Sequence, residues 1–214
     1  MNPKLENTIT SYIRGNPHGW CSISKALRMA ELVFTEKPKL VVEIGVFGGR
    51  SLIPQALALQ ELNAGGKAVG IDAWSTAAAL EALDPGNFVD KQHIDWWSRV
   101  PMESIFAAAK NSLDRYKLHD FCALVRDRAE NQAKNYSGID ILHIDGQHTV
   151  EVSCRDVRLW LPQVRPGGHI WFDDSDWYEL QEAQAKLSEA CDVVDEYNER
   201  AQPCGCCVKL FKKR

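Results

Sequence analysis

The chain has 214 residues, 45% of them hydrophobic and 25% charged, with a net charge of −4. That length lets one domain, spanning 1–214, bury a sizeable core. The mild negative charge gives no reason to expect nucleic acid or an anionic membrane as a partner. No run approaches the length of a membrane span, and the first 30 residues lack the basic-then-apolar layout of a signal peptide. The seven cysteines are an odd number, and Cys21, Cys122, Cys154 and Cys191 are scattered through the chain. A reduced, cytoplasmic protein is the simplest reading. Cys204, Cys206 and Cys207 lack a second ligand pair at zinc-like spacing.

Residues 1–35 read as mainly helical. From Ser22 to Phe34, Ile23, Leu27, Ala30 and Phe34 share one face, and Ser22 or Ser24 can cap the helix. Such a piece ahead of a sheet either packs on it or covers its edge. A buried strand, Lys39 to Gly45, then runs into Val46-Phe47-Gly48-Gly49-Arg50-Ser51. The next helix carries Leu52, Ala56 and Leu59 inward and tolerates Pro54 in its first turn. Strand, glycine turn and helix in this order present backbone N–H groups and a helix amino terminus to a ligand. Glu43 lies inside the strand, where an uncompensated charge is costly, so an amine partner is expected. A second strand, Lys67 to Ile71, ends on Asp72, 27 residues after Gly45. An acid there accepts hydrogen bonds from ribose hydroxyls, and together with the turn it points to an adenosine-containing ligand.

From residue 73 to residue 101 the sheet pattern lapses into small helices, read as an inserted lid or substrate segment. Trp74, Trp96 and Trp97 there form either an apolar wall for substrate or simple packing. A helix from Glu103 to Tyr116 leads to a third strand, Phe121 to Val125, whose polar tip Arg126-Asp127-Arg128-Ala129-Glu130 can touch a base. The stretch from Ile139 to Asp174 organises the rest. A strand, Ile139 to Ile144, ends on Asp145, and a helix places Val150, Val157 and Leu161 on one face. The turn Arg165-Pro166-Gly167-Gly168 precedes a strand, Ile170 to Phe172, that ends on Asp173 and Asp174. This is a βαβ unit with parallel strands, and its acids sit at the strand ends where open α/β sheets bind ligands. Asp145, Asp173 and Asp174 lie 28 and 29 residues apart and are expected to converge. Packed carboxylates repel unless a cation neutralises them, and oxygen ligands favour Mg²⁺. Taken singly, strand-end acids can also be helix caps or solvated loop residues. His143, inside its strand, reads as core and His169 as surface. Leu180 to Ala190 reads as a helix. Strands Asp192 to Tyr197 and Cys207 to Phe211 are joined too tightly for a crossover, so one of them runs antiparallel.

The run Val42-Glu43-Ile44-Gly45-Val46-Phe47-Gly48-Gly49-Arg50-Ser51 resembles the first motif of class I S-adenosylmethionine-dependent methyltransferases. Gly70-Ile71-Asp72 is similar to their second-strand ribose acid, and Pro166-Gly167-Gly168 to their late glycine motif. Together with the closing hairpin, the likeness covers roughly residues 20–211. Asp145-Gly146-Gln147-His148 with Asp173-Asp174 resembles the metal-dependent sugar O-methyltransferases (macrocin O-methyltransferase-like) and the cephalosporin-hydroxylase-like relatives. Where the sugar enzymes often carry D-G-D, this chain has Gln147 in place of the second acid.

The resemblance implies an α/β Rossmann-like methyltransferase fold, a mostly parallel seven-stranded sheet with an antiparallel last strand. It implies S-adenosylmethionine with its amino acid end against Glu43, Gly45, Gly48 and Ser51, its ribose at Asp72 and its adenine near Asp127 and Arg128. It implies Mg²⁺ on Asp145, Asp173 and Asp174. His148 is the preferred proton acceptor, a support for the metal site being its other role. The function implied is methylation of a hydroxyl on a small acceptor, a sugar. A catechol or phenol acceptor and a non-catalytic S-adenosylmethionine-binding module stay open. The apolar amino-terminal helix and tryptophan-rich insertion suggest a homo-oligomer.

Overall fold

The computed structural model describes residues 1–198 and 207–214. Cys204, Cys206 and the expected tight joint between the last two strands lie outside the described residues. Seven strands form one sheet: β1 (Leu40–Ile44), β2 (Lys67–Asp72), β3 (Cys122–Arg126), β4 (Ile139–Ile144), β5 (Val164–Phe172), β6 (Cys191–Asn198) and β7 (Cys207–Lys213). Their order is β3-β2-β1-β4-β5-β7-β6. The pairs from β3 through β5 are parallel, and β7 runs antiparallel to both β5 and β6. Central strands such as β1 (Leu-Val-Val-Glu-Ile) are apolar on both faces because helices cover both faces.

On one side lie α1 (Pro3–Gly15), α2 (Ile23–Glu36), α3 (Leu52–Leu62) and α6 (Met102–Tyr116), packed over Val41, Ala68 and Ile141. Helix α3 is buried from Leu52 to Leu59, because α1 and α2 cover the side it turns away from the sheet. Ser22 caps α2, its side chain accepting from the Lys25 amide. On the other side lie α7 (Ala129–Gln132), α8 (Val150–Trp160) and α9 (Gln181–Ala190), over Val42, Leu142 and Ile170. The 73–101 stretch contains two helices, α4 (Thr76–Ala79) and α5 (Phe88–Trp97).

Three local expectations are corrected. The Pro166-Gly167-Gly168 signal does not precede β5 but lies within it. The β4–β5 register skips from Ile139↔Val164 to Ile141↔His169, so the glycines form an irregularity that β4 still pairs across. That placement buries His169, 5% exposed, where a surface residue was expected. In α8, Val150 is exposed, and the buried face is carried instead by Val152, Val157 and Trp160.

The chain reverses its winding between β1 and β4, and this is the switch point at which open α/β sheets bind ligands. The ladder there extends one residue past each strand end. Gly45 N–H bonds the Ile71 carbonyl (3.0 Å), Asp145 N–H that of Ile44 (3.0 Å) and Asp173 N–H that of Ile144 (3.1 Å). The acids are therefore in register. Gly45 (φ +83°) is held so close to the neighbouring tip that a Cβ would stand 1.8 Å from the Asp145 carbonyl oxygen. Gly45→Ala is expected to destabilise the fold by about 3 kcal/mol or more, combining backbone strain and overpacking, as read from urea unfolding midpoints.

Candidate active site

The strand tips open onto a cavity of about 580 Å³. Gly45, Phe47 and Ser51 line it, as do Asp72, the acids Asp145, Asp173 and Asp174, and the rings of Trp96, Trp97 and Trp177.

Beneath the cavity runs a buried chain of charges. Glu43 is fully buried; its Oε1 accepts from Ser51 Oγ (2.7 Å) and its Oε2 from Gln55 Nε2 (3.2 Å). His143 Nδ1 stands 3.0 Å from Glu43 Oε2, and His143 Nε2 stands 3.1 Å from Asp173 Oδ2. Asp173 Oδ2 also receives the Lys25 ammonium, reaching in from the first turn of α2. Burial alone would lower the His143 pKa, but Glu43 and Asp173 outweigh it and push it up to about 9. The same partners work on Asp173: burial would raise it, and Lys25 with His143 holds it well below the usual carboxylate range. His143 is core, as expected, and is also the centre of this chain. Glu43 does not line the cavity; the buried partners that its charge called for are Ser51, Gln55 and His143.

Above this chain sit the outer groups. Asp145, His148 and Asp174 each offer a ligand atom within 4.8 Å of the others. His148 Nε2 is 3.3 Å from Asp174 Oδ2 and 3.7 Å from Asp145 Oδ1. Burial and the nearby Asp173 charge raise Asp145, and they push Asp174 up to about 7. Burial would lower His148, but the Asp145 and Asp174 carboxylates lift it. The three acids converge as expected, yet they are not equally open: Asp173 is 3% exposed and already engaged.

On the other side of Gly45, Asp72 holds the glycine turn. Its Oδ2 accepts from the Val46 and Phe47 amides (3.0 and 2.9 Å), and its Oδ1 from the Trp74 amide (2.6 Å). Gly48 is absent from the cavity wall, its carbonyl accepting from Tyr12 and Asn16 (3.2 and 2.8 Å). Asp127 also turns away from the cavity, accepting from Arg128 N, Asn131 and Gln132 (2.7, 2.8 and 2.6 Å). Arg128 does line it, and its guanidinium pairs with Glu81 and with Glu130 (2.6 Å to the latter). Arg155 reaches the same Glu81 at 2.7 Å, tying the 73–101 segment to α8. Trp74 is packing rather than wall: it is 1% exposed, and its Nε1 donates to the Phe47 carbonyl (2.8 Å).

Two residues escaped the sequence reading. Lys25 broke a local rule, since a cation in a helix's first turn opposes the macrodipole. Asp156 sits on the buried face of α8, four residues from both Val152 and Trp160, and an acid at that helical spacing was the signal passed over. It lines the cavity at 3% exposure, and its Oδ1 has no hydrogen-bond partner.

A doubly wound sheet of this order, with its glycine turn and acids at the switch point, defines a class I methyltransferase fold. Residues 42–175 match a family model described as a methyltransferase domain; this is more than half of the chain, which belongs to that family. No curated protein matches it. Among solved structures, an O-methyltransferase from Bacillus cereus in complex with SAH has a TM-score of 0.65 at 15% identity, over 100% of this chain and 92% of that one. TomG from Streptomyces achromogenes, an O-methyltransferase of tomaymycin synthesis in complex with SAM, has a TM-score of 0.65 at 16% identity, covering 100% and 91%. The SAH-bound Podospora anserina methyltransferase PaMTH1 has a TM-score of 0.66 at 16%, covering 100% and 89%. At these identities the likeness is one of fold.

Burial, helped by the nearby Glu130 and Glu81 charges, pushes Asp156 up to about 7 against the lowering pull of Arg155. A carboxyl raised on folding makes the folded state bind the extra proton, so stability falls as pH rises from about 4 to 7, by at most roughly 4 kcal/mol. Asp156→Asn is expected to be more stable than the parent above pH 7 and to flatten that decline, as measured by urea unfolding at a series of pH values.

Proposed function

We propose that this protein moves the methyl group of S-adenosylmethionine to a hydroxyl of a small acceptor, a sugar, with Mg²⁺ at its acids. The observation that carries the reading is the meeting of a donor cradle and an acid–imidazole cluster in one cavity, joined at the Gly45–Asp145 contact. Gly45, Ser51 and the intervening turn receive the donor's amino acid end, and Glu43 acts there through Ser51 Oγ. A carboxylate has about four acceptor positions; Asp72 uses three on backbone amides and keeps one for ribose. Arg128 stands at the adenine end, on a tip that Asp127 holds in shape.

The outer acids fit a hard cation. Mg²⁺ is commonly held by one or two carboxylates, with waters and substrate oxygens filling its octahedron, and Asp145 with Asp174 supply that pair. When bound, the ion would supply Lewis-acid polarisation of the acceptor hydroxyl. His148, between the same carboxylates, takes the hydroxyl proton at Nε2. The Trp96, Trp97 and Trp177 rings exclude water and offer apolar faces to the acceptor. The same rings favour a second reading, a catechol or phenol acceptor, distinguished by assaying both classes with labelled donor. The 73–101 segment acts as a lid, tethered through Glu81 to Arg128 and Arg155. Among the described residues no helix is long and apolar enough to cross a membrane, and a cytoplasmic location and a homo-oligomer are parts of the proposal.

Chelation by EDTA should stop methyl transfer and added Mg²⁺ should restore it, while calorimetric donor binding persists in both conditions; transfer unaffected by chelator would remove the ion from the reading. His148→Ala is expected to lower turnover by about 10²–10⁴-fold with ion affinity retained; loss of the ion instead would make His148 a ligand. Asp72→Ala should weaken donor binding by about 1.5–3 kcal/mol, and calorimetry showing unchanged affinity would take Asp72 out of the donor site.

A further inference from the structure

We propose that Lys25 is a built-in counter-cation of the acid cluster, making Asp173 a positioning residue and leaving the divalent ion to Asp145 and Asp174. The inference rests on the ion-binding part of the proposed function and divides labour among its three carboxylates.

Each Asp173 oxygen already has a partner, and of a carboxylate's about four acceptor positions one remains, on Oδ1. Its Oδ2 receives both the Lys25 ammonium and His143 Nε2, and its Oδ1 accepts the Asp174 amide at 3.1 Å. Lys25 and Asp173 are each 3% exposed, so neither charge has water to fall back on, and separating them leaves two costly buried charges. Lys25 is also held where helix electrostatics disfavour it, three residues past the Ser22 cap. The carboxylate, not the helix, therefore fixes its position. The ligand count gives the same division. With Asp173 engaged within the chain, Asp145 and Asp174 are the carboxylates of the cluster left facing the cavity, and one or two carboxylates are the usual protein share of a Mg²⁺ shell. Asp173 then works through others: it fixes His143, and its Oδ1 orients the backbone of Asp174, which sits at φ +48°.

The test is Mn²⁺ binding, by calorimetry and electron paramagnetic resonance, to the full chain without donor or acceptor. Asp174→Asn and Asp145→Asn should each weaken Mn²⁺ at least 30-fold. Lys25→Met should tighten it at least tenfold by releasing Asp173. The double variant Lys25→Met/Asp173→Asn removes a neutral pair and should bind Mn²⁺ within threefold of the parent; a 30-fold loss there makes Asp173 a ligand and overturns the proposal. A second measurement uses the unaltered protein with ¹⁵N-labelled lysine. The protected Lys25 ammonium signal should persist at saturating Mg²⁺, and its disappearance overturns the proposal even where variants fold poorly. Binding by Lys25→Met but not by the parent would support Lys25 as the resident cation while removing the divalent ion from the proposed function. No binding by any form would overturn both, leaving donor affinity as a separate check on the remainder.

Discussion

The constraint on which the site depends is a line of four buried charges, Lys25, Asp173, His143 and Glu43, running from α2 through β5, β4 and β1. None of the four could be buried alone without a cost of several kcal/mol. Together they alternate in sign, since the imidazole is charged up to about pH 9. The line fastens the amino-terminal helix to the centre of the sheet and fixes three strand tips relative to one another. The outer acids that face the cavity sit directly above it.

Above it, short-range contacts make one rigid frame of two half-sites. Asp72 grips the glycine turn through the Val46 and Phe47 amides, and Gly45 lies against the Asp145 backbone. A shift of the turn therefore displaces the acid beside it. Holding a methyl donor and a nucleophilic oxygen in line requires a frame of this kind, because positioning supplies much of the rate in a transfer between two bound groups.

What the sequence disclosed follows how local the signal was. Strand β4 was legible to the residue, because a mainly apolar run, broken only by Asp140 and His143, ends on Asp145. The strand-end acids were legible because a parallel βαβ unit puts both carboxyl ends on one edge. β5 was misjudged at its start because Pro-Gly-Gly reads as a turn wherever pairing partners are unknown, and here β4 supplied them. Lys25 was hidden for a different reason. Its partner is 148 residues away, and a lysine in a helix looks like a solvated one until tertiary structure shows what it faces. Trp74 was left open between wall and packing, because a tryptophan in an irregular segment suits either, and its indole is spent on the Phe47 carbonyl. Asp127 gave no sign in the sequence of its loop bonds, since its partners Asn131 and Gln132 look like ordinary surface residues.

The Glu81 tether has a consequence for how such a protein can diversify. The 73–101 segment lines the cavity and joins the frame at a few points: Glu81 pairs with Arg128 and Arg155, Trp74 bonds Asp72 and Phe47, and the Trp97 ring meets Phe47. Drift elsewhere in that segment can thus change which molecules fit the chamber while these joints stay in place. Conversely, a change in the frame disturbs every acceptor equally. The architecture separates the choice of cargo from the means of handling it, so a lineage can explore new acceptors while its chemistry stays sheltered.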